Sequence, residues 1–149
     1  MAMFGLCEMA TNAKGRWAVD TSIAVAALDA THTSHQKARS AVVAYGPVLS
    51  GHAAFESFSV LTRLPGSLRL SAPDAASALR LAFGAPCWLG GDEQMDLFVR
   101  IGELGVSGGA IYDALVGEAS RVNNRTLLTG DARAARTYGL VGVKFEFVG

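Results

Sequence analysis

The chain has 149 residues, half of them apolar and 17% charged, with 13 Lys and Arg set against 13 Asp and Glu. That is chain enough to bury one hydrophobic core, and too apolar a composition for a disordered segment, so one compact α/β or all-α domain is expected. A net charge of zero counts against a phosphate-rich partner unless the acidic residues are gathered in one place.

Residues 1–15 show no clear period and contain Thr11, Asn12 and Gly15, the pattern of a mobile tail, so the folded domain is expected to span residues 16–149. Trp17-Ala18-Val19 is a short apolar strand running into Asp20-Thr21-Ser22, a set of residues suited to capping a helix through Leu28. A second helix is predicted over 34–45, closed by Gly46-Pro47, and residues 47–50 form a second short strand. Ala54, Phe58, Leu61 and Leu64 recur at helical spacing over 51–64 before Pro65-Gly66 stops the segment.

Pro73 suits the first turn of a helix through Phe83, and Cys87-Trp88-Leu89 is a third candidate strand. Met95, Phe98, Val99 and Leu104 mark a helix over 92–104, followed by a glycine-rich loop at 105–109. The next helix, 110–123, carries Ile111, Leu115, Ala119 and Val122 on one face, and Thr126 to Thr129 reads as a buried strand. A short helix over 131–138 and a final edge strand with Val143, Phe145 and Phe147 alternating with Lys144 and Glu146 complete the chain. Short apolar strands alternating with helices imply a three-layer α/β fold, a mostly parallel sheet of about five strands between helices. Right-handed crossovers favour the strand order 3-2-1-4-5.

Cys7 and Cys87 have neither the number nor the spacing of a zinc site or a disulfide framework, which fits a reducing, cytoplasmic setting. The start of the chain lacks the basic and apolar stretches of a leader, and no apolar run approaches the roughly 20 residues of a membrane span.

In an open parallel sheet, ligands collect beyond the carboxyl ends of the strands. Asp20 closes the first predicted strand and Asp131 follows the fourth; Glu56 and Asp113 lie in the opening turns of two helices whose starts face the same rim. Carboxylates brought that close repel, and a hard divalent cation resolves the conflict. An all-oxygen set without His or Cys suits Mg²⁺ or Mn²⁺, and such an ion activates water and neutralises charge on a phosphoryl group, the requirement for phosphodiester hydrolysis. With those four acids gathered, nine would remain against the 13 Lys and Arg, leaving a basic outer surface.

Val19-Asp20-Thr21-Ser22, Phe55-Glu56-Ser57, Ala110-Ile111-Tyr112-Asp113-Ala114-Leu115 and Leu128-Thr129-Gly130-Asp131 together resemble the four acidic motifs of PIN domains, in order, from about Arg16 to the C-terminus. The Asp20-Thr21-Ser22 piece, the Tyr112 to Val116 piece and the tail from Thr129 to Val143 are most similar to VapC toxins of VapBC toxin–antitoxin pairs. The resemblance implies an endoribonuclease dependent on Mg²⁺ or Mn²⁺, a homodimer, and inhibition by a cognate VapB antitoxin. It makes Asp20, Asp113 and Asp131 metal ligands, Glu56 a water-orienting or second-metal residue, and Thr21, Ser22 and Thr129 supports of the site. The tail before Arg16 departs from the usual start of these toxins.

Each acid also has a plainer reading. Asp20 and Asp131 suit helix N-caps, and Glu56 could face solvent. His32 and His35 fall in a polar turn and helix start, as surface residues do. His52, Arg63, Arg69, Arg133 and Arg136 are candidate RNA phosphate contacts. Two other functions use the same fold: an aspartyl phosphatase with Asp20 as nucleophile, weakened by the lack of a second Asp two residues on, and a non-catalytic binding module.

Overall fold

The computed structural model describes residues 16–149; the predicted tail, Cys7 included, lies outside the described residues. The chain enters the sheet with β1 (Trp17–Val19), a strand held on both sides and therefore apolar throughout. Strands β2 (Val48–Leu49), β3 (Thr126–Thr129) and β4 (Phe145–Phe147) join it in the order β2-β1-β3-β4, every pair parallel. Ala18 is in register with Val48 on one side and Leu127 on the other, so the first and fourth predicted strands are neighbours as expected.

The predicted third strand contracts to a single parallel bridge, Ser50 to Cys87, at the outer side of β2. Cys87 N–H donates to Leu49 O (3.0 Å) and Gly51 N–H donates to Cys87 O (2.7 Å), and there the ladder stops. Gly51 adopts φ +49°, and a Cβ there would stand 2.9 Å from Ala119 Cβ, so the backbone turns out of the sheet at a point only glycine fills. The order 3-2-1-4-5 survives, with four strands among the described residues instead of about five.

Helices cover both faces: α1 (Thr21–Leu28), α2 (His35–Tyr45), α3 (Ala53–Leu61) and α4 (Ala72–Phe83), then α5 (Gly91–Arg100), α6 (Ala110–Val122) and α7 (Ala132–Val141). A short 3-10 turn, Gly66–Leu68, links α3 to α4. The alternation along the strands sorts the core. Val19 and Leu128 face Ile23, Leu61, Leu79 and Phe83, whereas Ala18 and Leu127 face Ala114, Val116, Tyr138 and Val141. No helix among the described residues is long and apolar enough to cross a membrane.

Two helices differ from their predicted faces. On α5 three of the four residues that set the period are turned outward, with Met95 62%, Phe98 76% and Val99 72% exposed; Leu104 lies past the helix end and packs against the core, and within α5 only Leu97 is buried. On α6 burial extends past the Ile111 and Leu115 stripe to Gly117, Glu118 and Ser120, because β3 and α7 both pack on this helix. Glu118 is 1% exposed and is clamped by Arg100 from the end of α5 and Arg121 from its own helix, which compensates its charge.

Candidate active site

Asp20 leaves β1 in extended conformation and caps α1, accepting from Ile23 N–H at 3.3 Å. Its carboxylate is 4% exposed and is surrounded by donors. Ser22 Oγ donates to Oδ1 at 2.5 Å; Thr129 Oγ1 and Tyr138 OH donate to Oδ2 at 2.5 and 2.8 Å. Burial raises the Asp20 pKa while these four donors oppose the rise. The hydroxyls are themselves pinned: Ser22 Oγ accepts from Gly130 N–H (2.9 Å) and Thr129 Oγ1 from Asp131 N–H (3.1 Å). The ends of β1 and β3 are thus stitched together through one carboxylate, which satisfies its burial.

Asp131 caps α7, its Oδ1 accepting from the N–H groups of Arg133 (2.9 Å) and Ala134 (3.4 Å). Glu56, in the first turn of α3, is partly exposed but has partners within the site. Thr21 Oγ1 donates to its Oε2 at 3.1 Å, and His52 Nε2 lies 3.3 Å from its Oε1. Asp113 stands in the first turn of α6, partly buried. Its pKa is pushed up to about 6, by burial first and then by the negative charges of Glu56, Asp131 and Asp20 in that order. Acids up to 93 positions away in sequence therefore act electrostatically on Asp113 at the carboxyl edge of the sheet.

Both plain readings of the caps are true as well. Asp20 and Asp131 cap helices and belong to the cluster, so the two roles do not compete. Among the other predicted residues, Thr21, Ser22, Thr129 and His52 contact the acids directly. Arg133 and Arg136 are exposed on the opening turns of α7 beside Asp131. Arg63 and Arg69 lie past the other end of α3, with their Nε groups bonded to Ser59 O and Leu64 O, and Arg63 is about 10 Å from Glu56 along the helical path. His32 and His35 serve the α1 to α2 connection, His35 Nδ1 standing 2.8 Å from Ala26 O.

Tyr138 is the site residue that pattern reasoning passes over. It is 1% exposed, and burial together with the adjacent Asp20 charge holds its phenol above the ordinary range, so it remains a donor. The signal was present in the sequence: Tyr138 shares the inner face of the last helix with Ala134, and a buried phenol needs an acceptor.

The donor set is all oxygen, and its negative charge is frustrated at Asp113. Among the described residues no group of three or more carboxylate, imidazole or thiol side chains is disposed to enclose a metal ion. The set fits Mg²⁺ or Mn²⁺, since a hard ion of this kind takes oxygen ligands and completes its shell with water.

The profile of the PIN domain family matches residues 18–140. The chain is 45% identical to Ribonuclease VapC27 of Mycobacterium tuberculosis over 130 residues, covering 85% of this chain and 92% of that protein. It is 40% identical over 133 residues to Ribonuclease VapC40 of the same organism, covering 88% of this chain and 98% of the relative. With its four acidic segments on one rim of a parallel sheet and this extent of similarity, the chain belongs to the PIN domain family, in the group of the VapC proteins.

Proposed function

We propose that the chain is an endoribonuclease toxin, hydrolysing RNA phosphodiester bonds with Mg²⁺ or Mn²⁺. The observation that carries the proposal is the coupling of Asp113 to Glu56, Asp131 and Asp20, a focus of negative charge that a divalent cation relieves. Asp20, Asp113 and Asp131 would hold the ion, whose chemistry is to lower the pKa of a bound water and offset charge on the phosphoryl group. Glu56, braced by Thr21 and His52, is positioned to orient a water or accept its proton. Thr129, Ser22 and Tyr138 hold Asp20 so that it need not reorganise.

Purified protein should cut RNA when Mg²⁺ or Mn²⁺ is supplied, stop when EDTA is added, and lose cleavage in Asp20→Asn and Asp113→Asn with the fold retained by circular dichroism. Cleavage that persists in EDTA, or in both variants, would refute the proposal. Metal-dependent cleavage lost in both variants would decide against a non-catalytic module. An aspartyl phosphatase is disfavoured because the position two residues after Asp20, where a second Asp would be needed, is Ser22.

We extend the proposal, from membership in the VapC group, to a cytoplasmic toxin held inactive by a VapB-type antitoxin. Co-expression with that antitoxin should relieve a growth arrest caused by the chain alone. The outward apolar face of α5, with Met95, Phe98 and Val99, supports self-association into a homodimer. Sedimentation of the purified chain would read that directly.

A further inference from the structure

Beside the carboxylate rim lies a cavity of about 180 Å³ whose walls include His52, Phe55, Trp88, Gln94 and Leu115. Phe55 and Trp88 are 64% and 46% exposed although their rings meet at 5.5 Å. His52 stacks on Tyr112 at 5.1 Å with only 18° between the rings. These aromatic groups are linked to the acids by chain and by contact: His52 lies against Glu56, Phe55 precedes it, and Tyr112 precedes Asp113. Gln94, its Nε2 tied to Leu89 O at 3.1 Å, adds hydrogen-bonding atoms to a wall whose other polar side chain is His52.

We propose that this cavity is a nucleobase subsite, accepting one unstacked base of an RNA strand whose phosphodiester lies at the Asp113 cluster. The inference rests on the ribonuclease reading and deepens it. Three features select a base over a protein segment. The volume suits a single ring system, whereas a docking helix is about 10–12 Å across. Its walls offer aromatic faces, on which any base stacks. Its wall residue Phe55 adjoins Glu56, and its wall residue His52 stacks on Tyr112, the neighbour of Asp113, so a strand held at the acids by phosphate delivers the adjoining base to the cavity. A base can enter only after leaving its own stack, so the substrate is single-stranded or looped RNA and not a continuous duplex.

The test measures binding in an Asp113→Asn background, where RNA is not consumed, using a short unpaired oligoribonucleotide of non-repeating uridine and cytidine sequence in which one abasic position is walked along the strand. Trp88→Ala and Phe55→Ala should each weaken binding of the intact oligonucleotide about tenfold. At one position the abasic strand should bind equally weakly with or without these substitutions. Trp88→Phe and Phe55→Tyr, which retain a ring, should recover most of the affinity, separating stacking from a folding defect. Unchanged affinity in the alanine variants would overturn the subsite, as would an equal loss at every abasic position. Unchanged affinity with an altered sedimentation coefficient would assign the face to a contact between copies of the chain instead. Metal-dependent cleavage by the unmodified protein is scored separately: if it persists while the abasic walk is featureless, only the subsite fails; if no RNA is cut, the ribonuclease reading fails on its own evidence.

Discussion

Replacing Asp113 with Asn should make the metal-free protein more stable while abolishing its activity. In the native chain the Asp113 pKa is raised from 3.8 to about 6, about two units, each worth about 1.4 kcal/mol between protonation states. The full shift corresponds to about 3 kcal/mol, and solvent screening of this partly exposed group reduces it to about 1–2 kcal/mol. The native state binds the proton more tightly than the unfolded chain, so the contribution is fully present below about pH 4 and is lost as pH rises through about 6. An amide, like the protonated acid, carries no charge. Urea unfolding in EDTA should therefore give equal stabilities for Asp113→Asn and the parent near pH 4, and a variant more stable by about 1–2 kcal/mol at pH 7.5. Adding Mn²⁺ should reverse the order, since an ion bound only by the native parent stabilises it in proportion to its occupancy. A variant no more stable than the parent at pH 7.5 in EDTA would refute the electrostatic argument, whatever happens to cleavage.

Tyr138→Phe removes one of four donors from Asp20 without emptying the core, and RNA cleavage should fall about tenfold, as expected for a lost hydrogen bond to a charged group, with kcat affected more than KM. Glu118→Ala leaves Arg100 and Arg121 facing each other without their shared carboxylate, and chemical denaturation should show a loss of about 2–3 kcal/mol, at or below the low end for a broken buried pair because both arginines reach solvent. Gly117→Val should cost about 1–3 kcal/mol and lower cleavage as well, because a Cβ at that position would already meet Val141 Cγ2 at 2.8 Å and Tyr138 Cδ1 at 3.1 Å, pressing the phenol away from Asp20. Thermal melting with and without Mn²⁺ would show whether the loss is confined to packing.

What sequence patterns convey here is the order of elements and the identity of the acids; what they miss depends on contacts between elements distant in the chain. Asp20 and Asp131 are readable because a strand followed by a capping residue is a local signal. Cys87 to Leu89 looks like a strand locally, yet the backbone turn at Gly51, set by the close approach of Ala119, leaves it one bridge. The outward face of α5 has a clear helical period that cannot state which side is covered, since a partner surface leaves the same pattern as a core. Glu118 is missed for the opposite reason. A charge inside an apolar helix reads as solvent-facing until Arg100, 18 positions earlier, is known to reach it. Tyr138 joins the site only because α7 packs against α6 and the end of β1.

Each of the four acids occupies the beginning of a helix: Asp20 and Asp131 are N-caps, and Glu56 and Asp113 lie in first turns. The N-terminal end of a helix carries a partial positive charge and unpaired N–H groups, so each carboxylate is placed where its own helix favours it. That local gain opposes the mutual repulsion which gathering them creates. It accounts for how the chain can hold this cluster with so few cations directly bonded to it. The compensation is unequal. Asp131 accepts from two N–H groups of its helix, and Asp20 from one N–H and three hydroxyls, whereas Asp113 has its helix start but faces three other acids. The residual strain is therefore concentrated on Asp113, at the point where the proposed cation and the RNA phosphate would meet, and a change in charge there acts on activity and stability in opposite directions.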